Sequence, residues 1–135
     1  MLLSGCEFGT GNSYQDRMVS EDATQSLHEL YNEQRFSEMY DLGAPEMHQS
    51  VSREIFIRGA AEGYARFGRL KKTTQSGTAC FPFQVRLVYS SEYEKGPATE
   101  KMVWAVSQGK AKLVMFNISE GHATPTAEIK NQCPS

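Results

Sequence analysis

Apolar residues recur every three or four positions from about residue 20 to residue 68, and beyond Gly68 they alternate. The first regime predicts helices. In "SEDATQSLHELYNEQ", Ser20 is placed as the N-cap, Glu21 and Asp22 lie in the first turn where carboxylates suit the helix dipole, and Ala23, Leu27, Leu30 and Tyr31 form one stripe. A second short helix, "RFSEMYDLG", presents Phe36, Met39 and Tyr40 and stops at Gly43. Pro45 starts a further turn, "PEMHQSV". Ser52 then caps "REIFIRGAAEGYARFG", whose face is Ile55, Phe56, Ala60, Tyr64 and Phe67, ended by Gly68.

The second regime predicts strands. "RLKKTTQSGTACF" alternates weakly, and "FQVRLVYSSEYEKG" puts Val85, Leu87 and Tyr89 on one face. "PATEKMVWAVSQG" places Met102, Trp104 and Val106 opposite Val103 and Ala105, and "KAKLVMFNISEG" places Leu113, Met115 and Asn117 opposite Val114, Phe116 and Ile118. Turn residues at Lys95-Gly96-Pro97 and Gln108-Gly109 make the last three strands a meander. The expected fold is α+β, with three N-terminal helices packed on a curved antiparallel sheet of three to four strands. It occupies residues 20–119, after a flexible tether within residues 1–19 and before a tail at 120–135.

Both faces of the last two strands are apolar, which a half-exposed sheet avoids unless something covers it. Tyr89, Met102, Trp104, Val106 and Met115 are therefore a candidate interaction face. The cover is either the C-terminal tail, a second copy of the chain, or an envelope protein partner.

Composition changes this picture little. The 135 residues are 39% hydrophobic and 22% charged, with a formal net charge of −2, so there is no overall basic footprint for nucleic acid. The charge is uneven: residues 16–66 carry ten acids and five bases, whereas residues 69–112 carry eight bases and three acids. No apolar run approaches the ~20 residues of a membrane-spanning helix.

Chemistry is sparse. Tyr40 with Asp41, Tyr64, Tyr89, His28 and His48 are the candidates for acid–base work, but no acid–base pair falls together on the strands that would line a pocket, so no catalytic residue is assigned. The three His residues have no metal-ligand spacing among themselves or with Cys, and no phosphate loop is present, so no metal or cofactor is expected. Gly59 and Gly63 form a small-xxx-small pattern that reads first as close helix packing and second as a ligand cavity.

Two resemblances add to this reading. Leu3-Ser4-Gly5-Cys6 resembles the bacterial lipobox: leucine, two small residues, cysteine. It implies acylation of the Cys6 sulfur and cleavage just before it, hence an envelope lipoprotein on the periplasmic side, held to the membrane by lipid. "MLL" is shorter than the apolar region of about 7–15 residues in a signal peptide, so the resemblance implies a leader that begins upstream of Met1 or has been trimmed. With Cys6 so used, Cys80 and Cys133 remain. They are either a disulfide that pins the tail, worth about 2–4 kcal/mol in an oxidising compartment, or two separate thiols.

The stretch "LHELYNEQRFSEMYDLGAPEMHQSVSREIFIRGAAEGYARFGRLKK", with strands ending in "KMVWAVSQGKAKLVMFNI", resembles the NTF2-like/cystatin-like superfamily, in particular small bacterial envelope proteins of the DUF4019 and DUF3887 type. The resemblance covers roughly residues 20–118 and implies a fold with no site. The expected function is a lipid-anchored, non-enzymatic binding or assembly module. The alternative is a small-molecule-binding protein or ketosteroid-isomerase-like enzyme that uses the cavity of the cone.

Overall fold

The computed structural model describes residues 13–121 and Cys133. Helices α1 (Ser13–Asn32), α2 (Phe36–Asp41), α3 (Pro45–Ser50) and α4 (Arg53–Phe67) precede strands β1 (Leu70–Phe81), β2 (Gln84–Tyr93), β3 (Gly96–Ser107) and β4 (Lys110–Glu120). The strands form one antiparallel sheet in the order β1-β2-β3-β4. The architecture is α+β, with an open sheet curved at three register shifts, two in β1 and one between β3 and β4.

Helix α1 starts at Ser13, so residues 13–19 are helical and do not belong to a tether. Ser20 is an interior residue, not a cap: it is buried, and its hydroxyl donates to the Asp16 carbonyl one turn earlier. The Arg17–Glu21 pair supports the same turn at 2.9 Å.

Both ends of α1 lie against β1, and the last is pinned there by hydrogen bonds. At the first end, Cys80 Sγ lies 3.6 Å from the Ser13 carbonyl oxygen. At the last, Asn32 donates to the Leu70 carbonyl (3.0 Å) and accepts from the Leu70 N–H (2.8 Å). Twenty helical residues and the ten-residue step from Leu70 to Cys80 both span about 30 Å, so helix and strand match in length.

The core fills the space between α1 and the concave face of the sheet. Leu27 and Tyr31 descend onto Val85, Leu87, Met102, Trp104 and Leu113, all essentially sealed from water. Each such side chain contributes about 1.5–3 kcal/mol on burial. Trp104 keeps its polar atom satisfied by donating from Nε1 to Thr24 Oγ1 at 3.0 Å, and Thr24 donates in turn to the Ser20 carbonyl.

This placement corrects the expected interaction face. Tyr89, Met102, Trp104 and Val106 point under the helices and are buried in the core, so they are not open to a partner. Of that set only Met115 is exposed, because of a bulge. Val103 pairs with Met115 and Trp104 with Leu113, so Val114 is the extra residue on β4. The insertion brings Phe116 and Ile118 to the core side with Leu113 and turns Met115 outward, against simple alternation.

Helix α4 ends as its sequence indicates. Ser52 Oγ accepts from the Ile55 N–H at 3.2 Å, and Gly68 adopts a φ of +79° at the C-terminus. The turn at Pro45 is a short helix of its own, α3, with Met47 buried. The linker before it runs beside β4: Leu113 N–H donates to the Leu42 carbonyl (2.8 Å), and Ala44 N–H donates to the Leu113 carbonyl (2.7 Å). A Cβ on Gly43 would meet the ends of the Met47 and His48 side chains and crowd the Tyr40 carbonyl, so a larger residue there would make these side chains move. Cys80 and Cys133 are bonded as a disulfide, and Thr78 Oγ1 lies 3.2 Å from Cys133 Sγ.

Candidate functional site

Helix α4 and strand β4 do not close on each other. Between them lies an open cleft of about 710 Å³, with Met39, Met47 and Phe67 at its base and residues 114–118 as its wall. On the α4 side the wall is lowered by Gly59 and Gly63, one turn apart. A Cβ at either glycine would meet nothing within 4 Å, so neither is there for close packing. Neither has a positive φ that would call for glycine. A mid-helix glycine costs about 1 kcal/mol relative to alanine, and neither packing nor backbone conformation offsets that cost here.

The cleft is mostly apolar, with polar groups at its margin. Ser50, Glu62 and Asn117 line the rim, and Ile55 and Met115 stand exposed there. Arg66 Nη2 reaches across to Glu120 Oε2 at 2.6 Å and ties α4 to the end of β4. Both side chains are well exposed, so this tie positions more than it stabilises.

The residues singled out for acid–base work have other partners. Tyr40 donates its hydroxyl to the Val51 carbonyl (2.7 Å) and stacks on His48 with ring centroids 4.3 Å apart. Arg53 covers the outer face of Tyr40 and pairs with Asp41 at 2.7 Å. Tyr64 packs against Tyr31 and Phe36. Tyr89 is buried, which raises its hydroxyl pKa, and it meets His28 edge to face.

His28 belongs to a cluster that the sequence reading missed. Glu100 is completely buried on β3 and accepts three hydrogen bonds: from His28 Nε2 (2.7 Å), Ser91 Oγ (2.6 Å) and Tyr93 OH (2.8 Å). Burial pushes the Glu100 carboxyl up, but the hydrogen bond and attraction of His28, with the two hydroxyls, outweigh it and hold the carboxyl below its ordinary range. Burial and the adjacent Glu100 charge push the Tyr93 hydroxyl far up, which keeps it a donor. No described buried side-chain nitrogen or oxygen lacks a partner.

Parity alone pointed to this cluster. Glu100 shares the inward face of β3 with Met102 and Trp104, and Ser91 and Tyr93 share that of β2 with Leu87 and Tyr89. None of Glu100, His28, Ser91 or Tyr93 lines the cleft. Among the described residues no group of His, Cys, Asp and Glu is arranged to hold a metal ion, and no helix is long and apolar enough to cross a membrane. Cys6, the residue expected to carry lipid, lies outside the described residues. No protein-family model matches the chain, and no curated protein matches it at a significant level.

Proposed function

We propose that this chain is a lipid-anchored module of the bacterial cell envelope whose NTF2-like/cystatin-like domain binds a small apolar molecule in the α4–β4 cleft, without catalysing a reaction on it. The observation that carries the reading is the open cleft itself, whose α4 wall contains Gly59 and Gly63 with empty space where their side chains would stand. A volume of about 710 Å³ falls within the ordinary size of ligand pockets, and an apolar lining with a few polar groups at the rim is their usual chemistry. The Cys80–Cys133 disulfide supports an oxidising compartment outside the cytoplasm. The lipobox resemblance at Cys6 supports attachment to the membrane there.

Binding is preferred to catalysis because the carboxylate of the hydrogen-bonded Glu100–His28–Tyr93 set lies under α1, away from the cleft. Glu100 has no exposed surface, and the cleft does not reach it. The test is titration with an apolar fluorescent probe such as N-phenyl-1-naphthylamine. The native chain should take it up at one site. Gly63→Leu, which fills the cleft without touching the core, should weaken uptake by at least about tenfold. Equal uptake by the two proteins would remove the cleft from the account.

A further inference from the structure

The two hairpin turns β1–β2 and β3–β4 lie at one end of the sheet, joined by a hydrogen bond from the Val106 N–H to the Phe83 carbonyl. Helix α1 begins at the same end, because Ser13 touches Cys80. Among the described residues the exposed aromatic side chains gather there. Phe81 and Phe83 flank Pro82 at the β1–β2 turn with 43% and 54% of their surface exposed, and Tyr14 stands exposed at the start of α1. Phe83 holds a φ of +63° after Pro82, a turn position that favours glycine, so the turn itself does not ask for phenylalanine.

The strand carboxylates are sorted in the same direction. Residues 75–91 and 101–119, which make up most of the four strands towards this end, contain no carboxylate. They contribute Arg86, whose guanidinium lies 4.8 Å over the Phe81 ring, and Lys110 and Lys112 beside the β3–β4 turn. Asp16, one turn into α1, is the nearby acid on the helix. The opposite end carries Glu92, Glu94 and Glu120, interspersed with Arg66, Arg69, Lys71, Lys72 and Lys95.

The geometry points to this end as a membrane-docking surface, with Phe81 and Phe83 seated in the interfacial region of an anionic phospholipid bilayer and Arg86, Lys110 and Lys112 over its phosphates. Exposed aromatic rings framed by basic side chains fit that region, where the rings leave water and the cations meet headgroups. The inference rests on the lipid-anchor reading of Cys6. Seven residue steps separate Cys6 from Ser13 and reach at most about 25 Å, and Ser13 lies at this end, so an anchor at Cys6 would hold these rings close to the bilayer. A short tether and an apolar tip on the same side turn a loose attachment into an oriented one.

The test uses the full chain on vesicles. The disulfide occupies Cys80 and Cys133, which leaves Cys6 as the thiol to couple to a maleimide-headgroup lipid. The vesicles contain phosphatidylglycerol and phosphatidylcholine, with or without bromine on the acyl chains. In Phe83→Trp, the introduced indole should lose about half its emission or more on brominated vesicles. The native Trp104 has no exposed surface and should be unchanged. Lys95→Trp, at the turn on the far end, should also be unquenched. Absence of quenching in Phe83→Trp, or equal quenching in Lys95→Trp, would overturn the docking surface. Chemical coupling supplies the tether whether or not the host acylates Cys6; acylation itself is read separately from the mass of the native protein, so the two readings fail independently.

Discussion

His28 Nε2 and Glu100 Oε1 stand 2.7 Å apart although 72 residues separate them in sequence, and this contact fastens the middle of α1 to the floor of the sheet. The carboxylate satisfies three donors from two elements, so its removal does more harm than the loss of one hydrogen bond. Glu100→Ala should lower unfolding free energy by about 3–5 kcal/mol, because His28, Ser91 and Tyr93 would keep their burial and lose their acceptor. Glu100→Gln should cost less. Urea denaturation of the two variants checks the order; a loss under 1 kcal/mol for the alanine variant would contradict it.

The same carboxylate sets a dependence on acid. Its folded-state pKa lies below the ordinary value of 4.5, so its stabilisation is complete above that value and is lost as pH falls through the lower, folded one. The groups that face it are His28 from α1 and Ser91 and Tyr93 from β2. Thermal melts should therefore fall steeply below pH 4.5 in the native protein. Glu100→Gln should flatten that part of the profile, and parallel profiles would assign the acid sensitivity to other carboxylates.

Gly59→Ala and Gly63→Ala should each raise stability by about 0.5–1 kcal/mol, since the added methyl groups meet no atom within 4 Å and the helix gains propensity. The gain should come with a narrower cleft. Chemical denaturation measures the first effect and probe uptake the second. A destabilised double variant would mean that α4 closes on something in solution.

Reduction of the Cys80–Cys133 bond should lower unfolding free energy by about 2–4 kcal/mol, because it closes a loop with a sequence separation of 53. Denaturation with and without dithiothreitol gives the difference. Cys133→Ser should reproduce it, and Cys6→Ser should not.

Much of this fold was legible in the amino-acid pattern, and the exceptions have physical causes. The strand meander, the Ser52 cap and the stop at Gly68 follow from period and turn chemistry, which act locally. The start of α1 was misplaced because a serine near acidic residues looks like a cap, whereas Ser20 spends its hydroxyl on the carbonyl of Asp16 inside the helix. Alternation says which strand residues share a side, not which side meets the helices, so Met102, Trp104 and Val106 read equally as core or as an open face. On β4 even the alternation fails at Val114, where a bulge exchanges the faces.

The cleft was harder to see than the fold. A glycine pair spaced by four reads equally as contact or as vacancy, and only the position of β4 decides between them. Glu100 was open to detection, since it alternates in register with Met102 and Trp104, but an acid on a core face is passed over when its three donors come from residues 28, 91 and 93.

Helix α1 lies across the face of the sheet, touching β1 at Ser13 and pinned to it at Asn32. A mechanical load entering at Ser13 and directed away from that end of the sheet runs along the helix axis. The helix must then slide as a unit against the sheet, and His28–Glu100, Trp104–Thr24 and the Asn32 pin all resist together. Such shear geometry yields at higher force than peeling, in which contacts give way one after another.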